Sequence, residues 1–303
     1  MTFSSIILLL LAIEPGKAQA HAENPVFQAV LSEGLSVDGR KVVLPSPRFR
    51  DGMTGQEEAA ELKAIAGSER AVADLLRDSI SASMVLKTGD EPSPGKILVR
   101  KADVFFAIKG DLDELKPDDA SKQATTAKPV DVANMSFSSH VLGEAEVSGR
   151  KLNEGAAKSN ETQWYVHFTS KLLDRIHVEA TTHVMASRSA DSWVIASRTD
   201  PRFAEDKEFP NRWWPYKLQG AKEVPGKAEG YEGGISYLKI NKLATKPGML
   251  LVEAHFAFAE PKAWFDGAPI LRSKISVIAQ DQIRTLRREV AKAREKSAAA
   301  GSR

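Results

Sequence analysis

The chain has 303 residues, 42% of them hydrophobic and 27% charged, which is enough apolar material for a sizeable core. Its 42 basic and 40 acidic residues leave a net charge of +2, a balance that argues against broad electrostatic capture of nucleic acid. There is no cysteine, so disulfides, thiolate metal sites and a cysteine nucleophile are excluded.

The chain opens with an apolar run from Ser5 to Ile13, followed by Ala18-Gln19-Ala20, a small-x-small cleavage pattern. Together they predict an export signal over residues 1–20 and a mature chain that begins at His21, placing the protein in the periplasm or outside the cell. The run is shorter than the roughly 20 residues that span a bilayer, and no later stretch is long and apolar enough to do so. No Lys or Arg precedes the run, a departure from the usual signal pattern.

Next comes an N-terminal helical extension, residues 21–67. Val26, Phe27, Val30 and Leu31 give an amphipathic helix from Pro25, and Lys41 to Leu44 a short strand ended by Pro45-Ser46-Pro47. Thr54 and Glu57 form a capping box for a helix carrying Leu62 and Ile65 and ending at Gly67. Ser68 caps another, with Val72, Leu75 and Leu76 on its apolar side.

From Ile80 onwards the pattern alternates, and residues 68–303 form an α+β domain. Strands are predicted at Ser83–Lys87, Ile97–Lys109, Met135–Val147, Gln163–Ser170, Ile176–Ser187 and Ser192–Arg198, the last two as a hairpin. Ser121–Asp131 reads as an exposed loop or frayed helix, and Gly149–Glu161 as a polar connection. Pro201, Pro210 and Pro215 make residues 201–215 irregular, with another strand from Pro215 to Glu223. The chain closes on its best-patterned stretch, Tyr231 to Lys296. Lys246-Pro247-Gly248 has type II turn chemistry, and Leu250, Val252, Ala254, Phe256 and Phe258 share one strand face. Ile275, Ile278, Ala279, Ile283, Leu286, Val290 and Ala293 make a helical stripe, with Ser297 to Arg303 expected to fray. The fold expected is an antiparallel sheet of about seven strands packed against this long C-terminal helix, with short helices at the front.

This order, and above all the closing strand-strand-helix, resembles the helix-grip fold of START-related lipid-transfer domains and polyketide cyclases over roughly Ser68 to Lys296. The resemblance implies a curved sheet gripping the helix, with an apolar ligand between them; it carries over no ligand residue. Leu76-Arg77-Asp78-Ser79 and Tyr231-Glu232-Gly233-Gly234 are also similar to stretches of uncharacterised exported bacterial proteins.

Few patterns carry chemistry. The chain has no G-x-S-x-G, H-E-x-x-H, Walker or G-x-G-x-x-G motif. Ser148-Gly-Arg-Lys151 and Lys87-Thr-Gly89 fit two β-lactamase motifs, but in reversed order. Asp111, Asp113, Asp118 and Asp119 lack the glycine of an EF-hand loop. His177, Glu179, Thr181 and His183 share a strand face, as do Glu253 and His255. Such faces could meet in metal or acid-base chemistry, although His177 and His183 lie about 20 Å apart on a regular strand; the plainer reading is a solvated sheet face. Glu253 and His255 point away from the apolar set of their strand and hence away from a grip cavity. Gly226, Gly230, Gly233 and Gly234 surround Tyr231, but a strand rather than a helix N-terminus follows them, so a hairpin or bulge fits better than a phosphate cradle. Arg284, Arg287, Arg288, Lys292, Arg294 and Lys296 make the last helix basic, favourable to its C-terminal dipole or to anionic head groups.

Trp213, Trp214, Tyr231, Trp264 and Phe265 are the candidate ligand-binding residues, aromatic groups at the rim of an apolar cavity; the plainer reading of Trp213-Trp214 and of Trp264-Phe265 is that one residue plugs the core and the other caps the sheet edge. The function expected is a non-enzymatic exported domain that binds a hydrophobic small molecule or lipid, with no cofactor, metal or nucleic acid. The alternatives are a hydrolase or metal-dependent enzyme using His177, Glu179, Glu253 or His255, and a structural envelope protein without a ligand.

Overall fold

A computed structural model describes residues 21–91, 95–113, 130–143, 146–147, 150, 163–220 and 222–301. The expected export signal, the connection at 151–161, and most of the loop at 121–131 lie outside the described residues.

The front of the chain follows its local signals. Helix α1 (Pro25–Ser32) is capped by Asn24, whose side chain accepts from the Phe27 N–H, and it buries Val26, Phe27 and Val30. A small hairpin follows, β1 (Leu35–Val37) with β2 (Arg40–Val42). Helix α2 (Gly55–Ala66) has the full Thr54–Glu57 capping box and stops at Gly67, whose φ of 86° is left-handed. Ser68 caps α3 (Glu69–Leu75).

The rest of the described chain is α+β, with one large curled antiparallel sheet. Its strands are β3 (Met84–Glu91), β4 (Ile97–Lys109), β5 (Val130–Val132), β6 (Met135–Val141), β7 (Gln163–Leu172), β8 (Ile176–Arg188), β9 (Ser192–Thr199), β10 (Arg212–Gln219), β11 (Lys222–Pro225), β12 (Glu229–Gly230), β13 (Gly234–Lys242) and β14 (Met249–Pro261). The spatial order is β3-β4-β14-β13-β9-β8-β7-β6-β5, with β10 on the free part of the β8 edge and β11 and β12 on β10. Among the described residues the sheet thus has 12 strands where the sequence predicts about seven. The difference lies mainly in the short segments β5, β11 and β12; β10 overlaps the strand expected from Pro215 but begins at Arg212, inside the stretch read as irregular. Pro215 is tolerated there because it contributes its carbonyl, which accepts from the Gly226 N–H at 2.7 Å.

Two closing strands and one helix set the architecture, as their periodicity predicts. Lys246-Pro247-Gly248-Met249 is a tight turn with Gly248 at φ 78° and the Met249 N–H donating to the Lys246 carbonyl at 3.1 Å. Leu250, Val252, Ala254 and Phe256 of β14 and Ala102, Val104, Phe106 and Ile108 of β4 join one core with Ile275, Ala279, Ile283, Leu286 and Val290 of helix α4 (Ile270–Gly301). The helix runs past Ser297, where fraying is expected, to Gly301. Helix α4 touches β3 and β4 at one edge of the sheet and β5 at the other. A sheet whose two edges both reach one helix must curl round it, so the sheet forms a half-barrel in a helix-grip-like arrangement. Among the described residues, no helix is long and apolar enough to cross a membrane.

Residues 21–67 cover the opposite face of the sheet. There α1 packs on β8, β9 and β13, and Phe49, Leu62 and Ile65 join Phe105 and Leu251 in a separate core cluster. This covering changes the reading of the polar strand faces. Glu253 and His255 lie opposite the helix, as their alternation predicts, but they are buried rather than solvated. The face of β8 is likewise closed over: Thr181 and Glu179 are buried where residues 209–212 fold back across them, with Asn211 Oδ1 accepting from the Thr181 N–H at 2.8 Å.

Candidate functional site

The main candidate is an apolar cavity of about 50 Å³ between the half-barrel and the first turns of α4. Cross-strand register builds its floor. Met135 of β6 stands opposite Leu172 of β7, and Phe137 opposite Ser170, which in turn faces Val178 of β8. On the inner face of β7, Trp164, Val166, Phe168 and Leu172 are apolar, and Ser170 is the one polar member. A small side chain among large ones leaves the space. Phe256 and Phe258 of β14 form one wall, and Leu271, Ile275 and Ile278 of α4 form the roof.

Tyr231 and Trp264 complete the wall. Tyr231 follows β12 and donates its N–H to the Asn211 carbonyl at 3.1 Å. Gly233, at φ 91°, holds this connection against the sheet; a Cβ there would stand 2.4 Å from the Cβ of Thr199, so only glycine fits. Gly233 thus serves chain packing, as does Gly226 against Pro215, whereas a Cβ at Gly230 would meet nothing within 4 Å. Trp264 sits in a short helical turn after β14, and Asp266 and Gly267, at φ 53° and 76°, reverse the chain into α4. Its ring stacks on Tyr231 at 5.8 Å and meets Trp213 edge-on at 5.9 Å. Burial pushes the Tyr231 hydroxyl far up in pKa, with the nearby Glu260 carboxylate adding to the effect.

The five aromatic candidates therefore separate. Tyr231 and Trp264 line the cavity, and Trp213 supports Trp264 from behind. Phe265 is buried in the adjoining core without reaching the cavity wall. Trp213 and Trp214 lie in strand β10 rather than in an irregular lid, paired with Val178 and His177 of β8. Trp214 packs on the His177 ring at 4.1 Å, with the Arg212 guanidinium over its own ring. The floor residues were not singled out from sequence, although Ser170 leaves a trace as the polar break in an apolar alternation.

Two buried polar atoms in this wall have no hydrogen-bond partner, Ser170 Oγ and Trp264 Nε1. Both residues are 3% exposed. Buried polar groups are nearly always satisfied, and one left unpaired costs about 1–3 kcal/mol. Nothing in the wall is charged. Next to the cavity, Arg100 makes a two-pronged ion pair with Glu260, with Nε–Oε2 and Nη2–Oε1 both 2.7 Å, and reaches Asp90 at 2.9 Å.

The His and Glu positions on the sheet do not converge. Strands β8 and β14 are separated by β9 and β13, which at the usual strand spacing is about 14 Å. Glu179 is engaged by Arg212 and by His167. His255 has both ring nitrogens occupied, Nδ1 by Asp103 Oδ1 at 2.6 Å and Nε2 by Glu253 Oε1 at 2.8 Å. Burial works to lower its pKa, but the two carboxylate hydrogen bonds outweigh burial and raise it. An imidazole held in this way has no lone pair to offer a metal or a substrate proton. Among the described residues no group of three or more His, Asp or Glu is placed to hold a metal ion.

Fold and site together define an α+β protein whose antiparallel sheet curls round a long helix and leaves a small apolar cavity between the two. No protein-family model matches the chain, and no curated protein matches it in sequence.

Proposed function

We propose that this protein is an exported, non-enzymatic domain that binds an uncharged, hydrophobic small molecule between the half-barrel and the C-terminal helix. The observation that carries this reading is the pair of unpartnered polar atoms, Ser170 Oγ and Trp264 Nε1, in an otherwise apolar cavity. A ligand with one hydrogen-bond acceptor, such as an alcohol or carbonyl on an apolar body, would satisfy both the surface and the orphan donors. The absence of charge in the wall favours a neutral ligand, since an ion there would be desolvated without a partner. At about 50 Å³ the closed space is smaller than a cavity that holds benzene, about 150 Å³, so a ligand enters only as α4 moves outward from the sheet, further for a longer chain. The resemblance to lipid-transfer domains supports the location of the site but not ligand size. Export rests on the Ser5–Ile13 run and the Ala18-Gln19-Ala20 pattern.

The test is thermal unfolding and calorimetric titration of the extracted, ligand-free full chain with octan-1-ol and toluene. Saturable binding is expected, with octan-1-ol the tighter because it carries an acceptor. Ser170→Leu should fill the cavity and abolish binding while leaving the chain folded. Ser170→Ala should stabilise the ligand-free protein by about 1 kcal/mol, because it removes a buried hydroxyl without a partner. Absence of binding by the wild type, or equal binding by Ser170→Leu, would overturn the reading.

A further inference from the structure

On the face of the sheet opposite α4, one buried side chain is left without a partner. Asn241, near the end of β13, is 5% exposed, and its Nδ2 meets no hydrogen-bond acceptor among the described residues. Alternation puts it on the same face as Lys239, whose Nζ reaches the Phe49 carbonyl and the Asp51 carboxylate at 2.8 Å each. Two residues further on, Asn241 lines a cavity instead. A buried amide N–H is nearly always paired, and leaving one unpaired is costly.

The cavity measures about 340 Å³, within the roughly 300–1,000 Å³ of small-molecule sites. It lies between residues 49–53 of the covering segment, the end of β4, the β8–β9 turn and the β13–β14 turn. Its wall mixes two kinds of surface. Met53, Pro247 and Met249 are apolar, whereas Arg50, Lys242, Asp111 and Asp191 bring both signs of charge. Two further carboxylates of the wall are committed to the fold. Asp51 accepts from Lys239 and from Ser192 Oγ, and Glu58 accepts from the Ala244 and Thr245 N–H groups. Asp191, by contrast, is exposed. It stands beside the unpaired amide: Asn241 is in register with Ser192, and the Lys242 N–H donates to the Asp191 carbonyl at 2.9 Å.

We propose that this cavity binds a saccharide unit, with the Asn241 amide donating to one ring hydroxyl and the Asp191 carboxylate accepting from its neighbour. A hydroxyl both donates and accepts, so adjacent hydroxyls match an amide N–H and a carboxylate that stand side by side. The C–H face of a sugar ring suits Met53 and Pro247, and a purely apolar ligand would desolvate the charged groups without replacing their water. This cavity shares no lining residue with the apolar one under α4, so the two readings stand or fall separately.

The test is nuclear magnetic resonance of the full chain carrying ¹³C-methyl methionine. It is titrated with glucose, galactose, mannose, N-acetylglucosamine and myo-inositol, and separately with the zwitterion L-alanine. At least one of the five polyols should shift the Met53 and Met249 signals to saturation, while Met135, in the apolar cavity, stays in place. Asn241→Ala should weaken that binding roughly tenfold, the effect of one lost hydrogen bond, and should melt no lower than the wild type because it removes an unpaired buried amide. Asp191→Ala, a change at an exposed position, should also weaken binding, and it keeps the test valid if the first variant fails to fold. If none of the five polyols shifts Met53, the cavity holds water only and the proposal is overturned. Binding of L-alanine in place of the polyols, or polyol binding unchanged in both variants, overturns it equally.

Discussion

Replacing Glu253 by alanine is expected to cost about 3–5 kcal/mol, the range found when one partner of a buried ion pair is removed. Glu253 is fully buried on the face of the sheet opposite α4. Its carboxylate accepts from the backbone N–H of Arg48 at 2.9 and 3.1 Å and of Phe49 at 3.2 Å, as well as from His255 Nε2. It therefore fastens the covering N-terminal segment to the sheet. Lys239 makes a parallel tie, donating to the Phe49 carbonyl and the Asp51 carboxylate at 2.8 Å each, and Tyr237 donates to the Pro45 carbonyl. Without the Glu253 carboxylate, two backbone N–H groups lose their acceptor and the imidazolium keeps only Asp103. Glu253→Gln, which retains an acceptor oxygen, should cost less. The pH dependence follows from the raised pKa of His255. The unfolded chain loses this proton near the ordinary value of about 6.5, whereas the folded chain holds it to higher pH. The stabilisation is thus fully present below about pH 6.5 and is lost as pH rises through the folded value. Urea unfolding at pH 6 and pH 9 should show the wild type losing more stability on this account than Glu253→Ala. A cost for Glu253→Ala below 1 kcal/mol at pH 6 would contradict the described network.

Glu260→Ala is expected to have an effect of the same size, about 3–5 kcal/mol, for a different reason. Here the stranded group is Arg100, 2% exposed and lying under the start of α4, where it also donates to the Ala268 carbonyl. Glu260 raises the Arg100 pKa chiefly by its hydrogen bonds, with burial opposing and Asp90 assisting, so the guanidinium stays charged. Asp90 remains as a partner in the single variant, but it is shared with Arg272. A well-packed apolar replacement of both partners often matches or exceeds a buried ion pair in stability. Arg100→Met with Glu260→Leu should therefore recover most of the loss. Chemical unfolding of Arg100→Met, Glu260→Leu and the double variant closes this cycle, with Glu260→Ala measured beside it. Equal destabilisation by the double variant and by Glu260→Ala would show that the pair contributes more than charge neutralisation.

What the sequence displays is whatever repeats at short range. The β14 alternation, the α4 stripe, the Pro247-Gly248 turn and the Thr54–Glu57 box are each local, and each lies where its spacing predicts. The strand expected from Pro215 overlaps β10, but its first residues, Arg212 to Trp214, are hidden inside a stretch that reads as irregular, and only pairing with β8 reveals them. The polar faces read as solvated because their cover is not adjacent in sequence: it lies 30 positions away for Thr181 and Asn211, and 205 for Arg48 and Glu253. The cavity has the same origin. Tyr231 and Trp264 are conspicuous aromatic residues, but Met135, Phe137 and Val178 reach the same space only through strand register. Ser170 could have been noticed as the single polar side chain on the inner face of β7. Long-range ion pairs such as Arg100–Glu260 leave no local trace at all.

The central claim is that a neutral apolar ligand enters the cavity and engages the free indole N–H of Trp264. Nuclear magnetic resonance of the ¹⁵N-labelled full chain tests it most directly. The chain has five tryptophans, so five indole signals are expected, and Trp264→Phe identifies the one that matters. On titration with octan-1-ol, the Trp264 signal should move progressively and saturate, while those of Trp193, on the core away from the cavity, and Trp214, on the opposite side of β10, stay in place. A Trp264 signal that does not move, or five signals that move alike, would contradict the account.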